Sequence, residues 1–336
     1  MAHSSKIIAV LGAGSMGTAI ANVLAHNGHE VRIWDINQNS LDEINTHHTN
    51  RHFFPDLKLP HSIRGVSNIH EAIRDAELIN VVVPSKFVRS TMTQFSEEMT
   101  EGQMVLNWAK GIEEKSLKFM LEVMNESTPL LHRHNLATIS GPSLAKEITD
   151  KRVTAVNLTG RNQYILPIIK EIFEQGNDTF KMRIGIDTIG VELSGIMKNI
   201  YALLIGMAES LYDSKNTNAV ILTASLEEMA TLGRSLGAYH QTFYDLCGMG
   251  DLIATCMSDH SRNRTMGKKL VSGKSLKEAL AEMTQVSEGV PATKTIHDLA
   301  KRHGVKLPIV EAMYSMLYED KPLVATTEKL VKSLMA

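Results

Sequence analysis

At 336 residues, with 43% apolar and 21% charged side chains, the chain is large enough for two domains with sizeable cores and has the composition of a globular protein. A formal net charge of −2 excludes an extended nucleic-acid surface, and two cysteines, Cys247 and Cys256, exclude a disulfide framework and read as free thiols of a reducing, cytoplasmic setting. No apolar signal core precedes a cleavage site, and no run of eighteen uncharged apolar residues occurs, so no membrane span is expected.

The first half alternates. "KIIAVLG" (6–12), "EVRIWD" (30–35), "LINVVVP" (78–84), "MVLNWAKG" (104–111) and "LATISGP" (136–142) are short runs rich in Val, Ile and Leu, each bounded by Gly, Pro or charge. Runs apolar on both faces suit buried parallel strands. Helical patterns lie between them, as in "MGTAIANVLAHNG" (16–28), with Ile20, Val23 and Leu24 on one face. The polar stretch "NTHHTNRHFFPDLKLP" (45–60) reads as a surface loop ended by Pro55 and Pro60. Two more strand-like runs follow, "RVTAVNL" (152–158) and "TFKMRI" (179–184).

The alternation predicts βαβ units in a doubly wound, Rossmann-type parallel sheet over residues 1–187. From 188 the texture changes to long helical patterns: "TIGVELSGIMKNIYALLIGMAESL" (188–211), "NAVILTASLEEMATLGRSLG" (218–237), "SLKEALAEM" (275–283), "ATKTIHDLAKRHG" (292–304) and "IVEAMYSMLYED" (309–320). A domain boundary near 187 and an all-helical second domain over 188–336 are the expectation, with an α/β fold overall.

Chemistry enters at Gly12, Gly14 and Gly17, which follow the first strand and open the first helix. In that context Gly12 serves the tight turn, Gly14 lets backbone approach a pyrophosphate, and Gly17 lets helix and strand pack closely. The second strand ends at Asp35, eighteen residues after Gly17, where a carboxylate accepts hydrogen bonds from ribose hydroxyls and repels a 2′-phosphate. NAD is therefore favoured over NADP.

Lys198, flanked by Ile196, Met197, Ile200 and Tyr201, either snorkels off a helix edge or sits in a partly dry pocket suited to proton transfer. Asn199 beside it is able to hydrogen-bond a substrate hydroxyl or the nicotinamide amide. "GMGDLIATCMSDHSRNR" (248–264) joins Asp251 to a basic cluster, Arg262-Asn263-Arg264, which either grips a phosphate or forms a solvated loop. Lys110, Gly141 and Ser143 fall just beyond strand C-termini, the edge where doubly wound sheets bind ligands. Fourteen histidines give no metal-ligand spacing, and no G-x-S-x-G elbow is present.

Eight segments occur in one order: "GAGSMGTAIA", "VVVPS", "AKGIE", "ISGPSLAKE", "GIMKNIYA", "GMGDLIATC", "SRNR" and "QVSEG". Over Lys6 to Lys321 the chain resembles the bacterial-type NAD(P)-dependent glycerol-3-phosphate dehydrogenases, and its first domain is also similar to that of hydroxyacyl-CoA dehydrogenases. The resemblance implies interconversion of dihydroxyacetone phosphate and sn-glycerol 3-phosphate, a place in glycerophospholipid synthesis, and a homodimer. It makes Lys198 the proton donor and acceptor, and sets Lys110 between cofactor and substrate. Gly141 and Ser143 line the substrate, with Asp251 and Thr255 facing the glycerol moiety, and Ser261, Arg262 and Asn263 hold its phosphate. Ser15, Met16, Phe87, Ala145, Arg262, Val286 and Glu288 contact the cofactor. The chain departs from these relatives at Met16, where an aromatic is usual, and at "WDIN", which lacks the cation suited to a 2′-phosphate. It also departs at "NAV" (218–220) and "TASL" (223–226), which lack two arginines. Another phosphorylated or CoA-linked hydroxy substrate, or a non-catalytic NAD-binding role, therefore stays open beside the main reading.

Overall fold

The computed structural model describes residues 5–259, 261–283 and 287–335. Eight strands form one sheet in the order β3-β2-β1-β4-β5-β6-β7-β8: β1 (Ile7–Leu11), β2 (Glu30–Trp34), β3 (Ile63–Val66), β4 (Leu78–Val81), β5 (Met104–Asn107), β6 (Leu136–Ser140), β7 (Thr154–Gly160) and β8 (Phe180–Gly185). Helices connect them: α1 (Ser15–His26), α2 (Gln38–His47), α3 (Ile69–Ile73), α4 (Val88–Phe95), α5 (Met120–Glu126), α6 (Ala145–Thr149) and α7 (Ile165–Glu174). Ile8, Ala9, Val10 and Leu11 are fully buried, as a central strand covered on both faces requires. All seven expected strands are present, and the α/β class holds. Two details differ. β3 was not expected, because its exposed Arg64 and its Gly65 hide a short edge strand. β6 and β7 pair antiparallel, the one reversal in the sheet. An apolar run signals burial but carries no strand direction.

The chain divides into two compact units, one taking in residues up to Lys110 with Met120–Thr188, the other Gly111–Phe119 with Ile189 onward. The excursion Gly111–Phe119, where Ile112 and Phe119 join the second core, is a discontinuity that a single boundary does not provide. The second unit is built on α8 (Thr188–Tyr212), α9 (Lys215–Ser235), α10 (Asp251–Met257), α11 (Arg262–Val271), α12 (Leu276–Ala281), α13 (Gly289–His303), α14 (Pro308–Tyr318) and α15 (Leu323–Ser333). α8 is long and apolar enough to cross a membrane by length and composition, yet 94% of its apolar window is buried, which makes it the core helix of this unit. Leu193, Met197, Ile200, Leu204 and Met207 are among the side chains it contributes.

One polar residue in that core has a pH consequence. Glu228 of α9 is 6% exposed, accepts the Ile309 N–H at the start of α14 (2.7 Å) and accepts the Tyr201 hydroxyl (3.3 Å). Burial pushes its carboxyl up to about 8, against the opposing pull of these hydrogen bonds. A raised carboxyl stabilises the fold below the unfolded value, and that contribution is lost as pH rises through about 8. Glu228→Gln, neutral at every pH, should flatten the fall in unfolding free energy over this window by a few kcal/mol, at about 1.4 kcal/mol per unit. Urea unfolding at both ends of the window checks it; parallel pH profiles for the two proteins would contradict it.

Candidate functional site

In the first unit the glycine loop sits where the strand order reverses between β1 and β4, the crevice that binds ligands in doubly wound sheets. Gly12, at φ +118°, donates its N–H to the Trp34 carbonyl (2.7 Å), and a Cβ there would lie 2.8 Å from the Val82 carbonyl oxygen. A Cβ on Gly17 would run into the Gly12 carbonyl oxygen, so the turn closes only on glycine. Gly14 is different: a Cβ there meets nothing within 4 Å, and among the described residues no side-chain cap is made at the α1 N-terminus behind it. Open space beside unpaired helix-terminal N–H groups suits a phosphate.

Asp35 turns back toward this loop. Its Oδ2 accepts the Ala13 N–H (2.6 Å) and its Oδ1 the Asn37 N–H (2.8 Å). Each carboxylate oxygen keeps a further lone pair for a ribose hydroxyl. Ile36, the next residue, is 87% exposed. These residues fit the adenosine and pyrophosphate of NAD. Ser15 and Met16 begin α1, half-buried, with Met16 packed on the core in place of the expected aromatic.

The same sheet edge carries other expected residues. Phe87 lies 45% exposed in the turn after β4, with Lys86 Nζ 4.8 Å from its ring centroid. Lys110 follows β5. Gly141 follows β6, where a Cβ would come 2.7 Å from Val156 Cα; Ser143 donates to the Gly141 carbonyl (2.9 Å), and Ala145 opens α6.

In the second unit Lys198 is 7% exposed, the dry setting of the two the sequence allows. Its Nζ donates to Asp251 Oδ1 (2.5 Å) and to Thr255 Oγ1 (2.9 Å), and Thr255 also donates to Asp251 Oδ1 (3.3 Å). Asp251 and Thr255 are one helical turn apart on α10, which brings both to one point of α8. Asp251 is 1% exposed, so its charge is compensated locally by the lysine ammonium. Cys256 beside them is fully buried, and burial pushes its thiol well above the usual range.

A second polar chain runs from the neighbouring residue. Asn199 Oδ1 accepts from Asn263 Nδ2 (2.8 Å), and Asn263 Oδ1 accepts from Ser287 Oγ (2.8 Å) and the Gly289 N–H (2.9 Å). Asn263 therefore ties the starts of α11 and α13 to α8, a job the sequence did not reveal. Ser261 caps α11, accepting the Arg264 N–H (3.3 Å), and Arg262 is exposed at its first position. Arg264 does not join Arg262 in an anion-binding cluster. Its guanidinium is held bidentately by Glu209 of α8 (Nε 2.6 Å, Nη2 3.0 Å) and by Asp259 (2.7 Å), so it braces α11 against α8. Glu209 also takes Asn218 Nδ2 (3.2 Å), at one of the stretches lacking the expected arginine. Glu288 precedes α13, half-buried; Val286 lies outside the described residues.

Two family models match the chain: the N-terminus of NAD-dependent glycerol-3-phosphate dehydrogenase over residues 7–165 and its C-terminus over 187–328. A glycerol-3-phosphate dehydrogenase [NAD(P)+] of Staphylococcus epidermidis is 38% identical over 328 residues, 98% of this chain and 97% of that relative. One from Macrococcus caseolyticus is 40% identical over 312 residues, 93% of each. The crystal structure of glycerol-3-phosphate dehydrogenase from Coxiella burnetii superposes with a TM-score of 0.90 at 31% identity, covering 98% of this chain and 99% of that one.

Proposed function

The chain belongs to the NAD-dependent glycerol-3-phosphate dehydrogenase family, and we propose on that footing that it interconverts dihydroxyacetone phosphate and sn-glycerol 3-phosphate, serving glycerophospholipid synthesis. The observation that supports this most is the buried Lys198–Asp251–Thr255 cluster. Bound nicotinamide supplies the hydride in one direction and takes it in the other. Lys198, as the ammonium, gives a proton to the substrate oxygen as charge builds there; in oxidation the neutral amine takes the hydroxyl proton. Asp251 and Thr255 hold the nitrogen in place for that transfer.

Arg262, with Ser261 and Asn263 at the α11 N-terminus, binds the non-reacting phosphate, whose binding energy fixes the reacting carbon. Lys110, Gly141 and Ser143 line the substrate. Gly12, Gly14, Ser15, Met16, Gly17 and Asp35 hold the dinucleotide, with Phe87, Ala145 and Glu288 completing its contacts. Asp35 and the absence of a cation at Ile36 favour NADH over NADPH. The proposal extends to a cytoplasmic homodimer, with the helical second unit supplying the two-fold face.

A substrate panel tests it. With NADH, dihydroxyacetone phosphate should give kcat/KM at least about tenfold above that for unphosphorylated dihydroxyacetone, a CoA-linked keto compound, or NADPH in place of NADH, a margin of roughly 1.4 kcal/mol. A preference for the CoA-linked compound would overturn the substrate assignment.

A further inference from the structure

The stretch 45–60, expected to be a surface loop, is not one throughout. Asn50 is 1% exposed, Thr49 2%, and Phe54 and Leu59 5% each, with both apolar side chains in the core beside α1. Asn50 reaches across 37 residues of sequence to donate from Nδ2 to the Ala13 carbonyl (2.9 Å) and to Thr18 Oγ1 (2.9 Å); Thr18 Oγ1 itself donates to the Ala13 carbonyl (3.3 Å). The orientation of the amide is not arbitrary. Turned over, it would set its oxygen against the Ala13 oxygen.

We propose that Asn50 is a positioning residue for the dinucleotide, acting through one peptide unit of the glycine loop. The peptide between Ala13 and Gly14 is planar and trans, so its C=O and N–H point in opposite directions. Asn50 and Thr18 hold the carbonyl inward. That turns the Gly14 N–H away from Asn50 and Thr18, at a residue whose Cβ position is open and where a phosphate would approach. The N–H of Ala13 is held by Asp35 at the same time, so the loop is gripped from both sides and the ribose-binding carboxylate is set in register with the phosphate-binding N–H. Both grips are long-range, and glycine at 12 and 14 gives the loop little stiffness of its own.

The inference rests on NAD binding as read above, and calorimetry with NADH separates the two. If the unaltered chain binds no NADH, that reading fails. If it does, Asn50→Leu, close in size and without donor or charge, should weaken NADH binding at least about tenfold, because a loop no longer held in register must be ordered on binding. Thr18→Val, isosteric and without the hydroxyl, should weaken it in the same direction, and serves where the Asn50 variant does not fold. At saturating NADH, kcat and the KM for dihydroxyacetone phosphate should stay as in the parent. Unchanged NADH affinity in folded variants, or a fall in kcat with no change in affinity, would overturn the inference.

Discussion

Replacing Lys198 by alanine is expected to lower kcat by roughly 10²–10⁴-fold, the range for loss of a positioned proton-transfer group. NADH affinity should be unchanged, since the glycine loop and Asp35 belong to the other compact unit. A second effect accompanies the first. Asp251 is 1% exposed and would lose the Lys198 ammonium, and removing one partner of a buried ion pair costs about 3–5 kcal/mol. The variant should therefore unfold at lower denaturant. Adding Asp251→Asn removes the other half of the buried ion pair, so the double variant should regain most of the stability and none of the turnover. Denaturant unfolding with steady-state kinetics on the same preparations separates the two effects. Turnover returning with stability would show that Lys198 is only a structural counter-ion.

Gly206→Ala should destabilise the second unit although alanine is the better helix former. The propensity gain is about 1 kcal/mol. Against it, a Cβ on Gly206 would fall on the Arg264 carbonyl oxygen, and one on Gly267 would fall on the Leu203 carbonyl. α8 and α11 thus cross backbone to backbone, and no side-chain rotation relieves the clash. Overpacking costs about 1–3 kcal/mol and more where backbone must shift, so a net loss of stability is expected. The same crossing places Ser261, Arg262 and Asn263 relative to Lys198. Separating the helices should also raise the KM for the phosphorylated substrate. A more stable Gly206→Ala protein would show that the crossing is looser than described.

How much of this was readable in the sequence depends on the range of the interaction concerned. The seven expected strands announced themselves because burial on both faces writes Val, Ile and Leu into consecutive positions, as in β1 and β4. The glycine loop and Asp35 were readable because their spacing is fixed by one βαβ unit. Strand β3, with Arg64 exposed, and the antiparallel pairing of β6 with β7 left no such local mark. Neither did contacts between distant segments. Arg264 looked like a partner of Arg262, yet its partner is Glu209, fifty-five residues away. Asn50 sits in a polar stretch, and polarity there reads as exposure unless its acceptors, Ala13 and Thr18, are known. Lys198 allowed two settings by composition; the Asp251 carboxylate at 2.5 Å decides between them.

On the reading proposed above, this chain moves a hydride between NADH and a phosphorylated three-carbon ketone while Lys198 moves the proton. The most direct measurement mixes the purified chain with NADH and dihydroxyacetone phosphate, follows nicotinamide absorbance, and identifies the product by mass spectrometry. Loss of absorbance matched mole for mole by sn-glycerol 3-phosphate is expected, with its reversal when NAD and that product are supplied instead. A folded, NADH-binding chain that leaves the absorbance unchanged in both directions would contradict it.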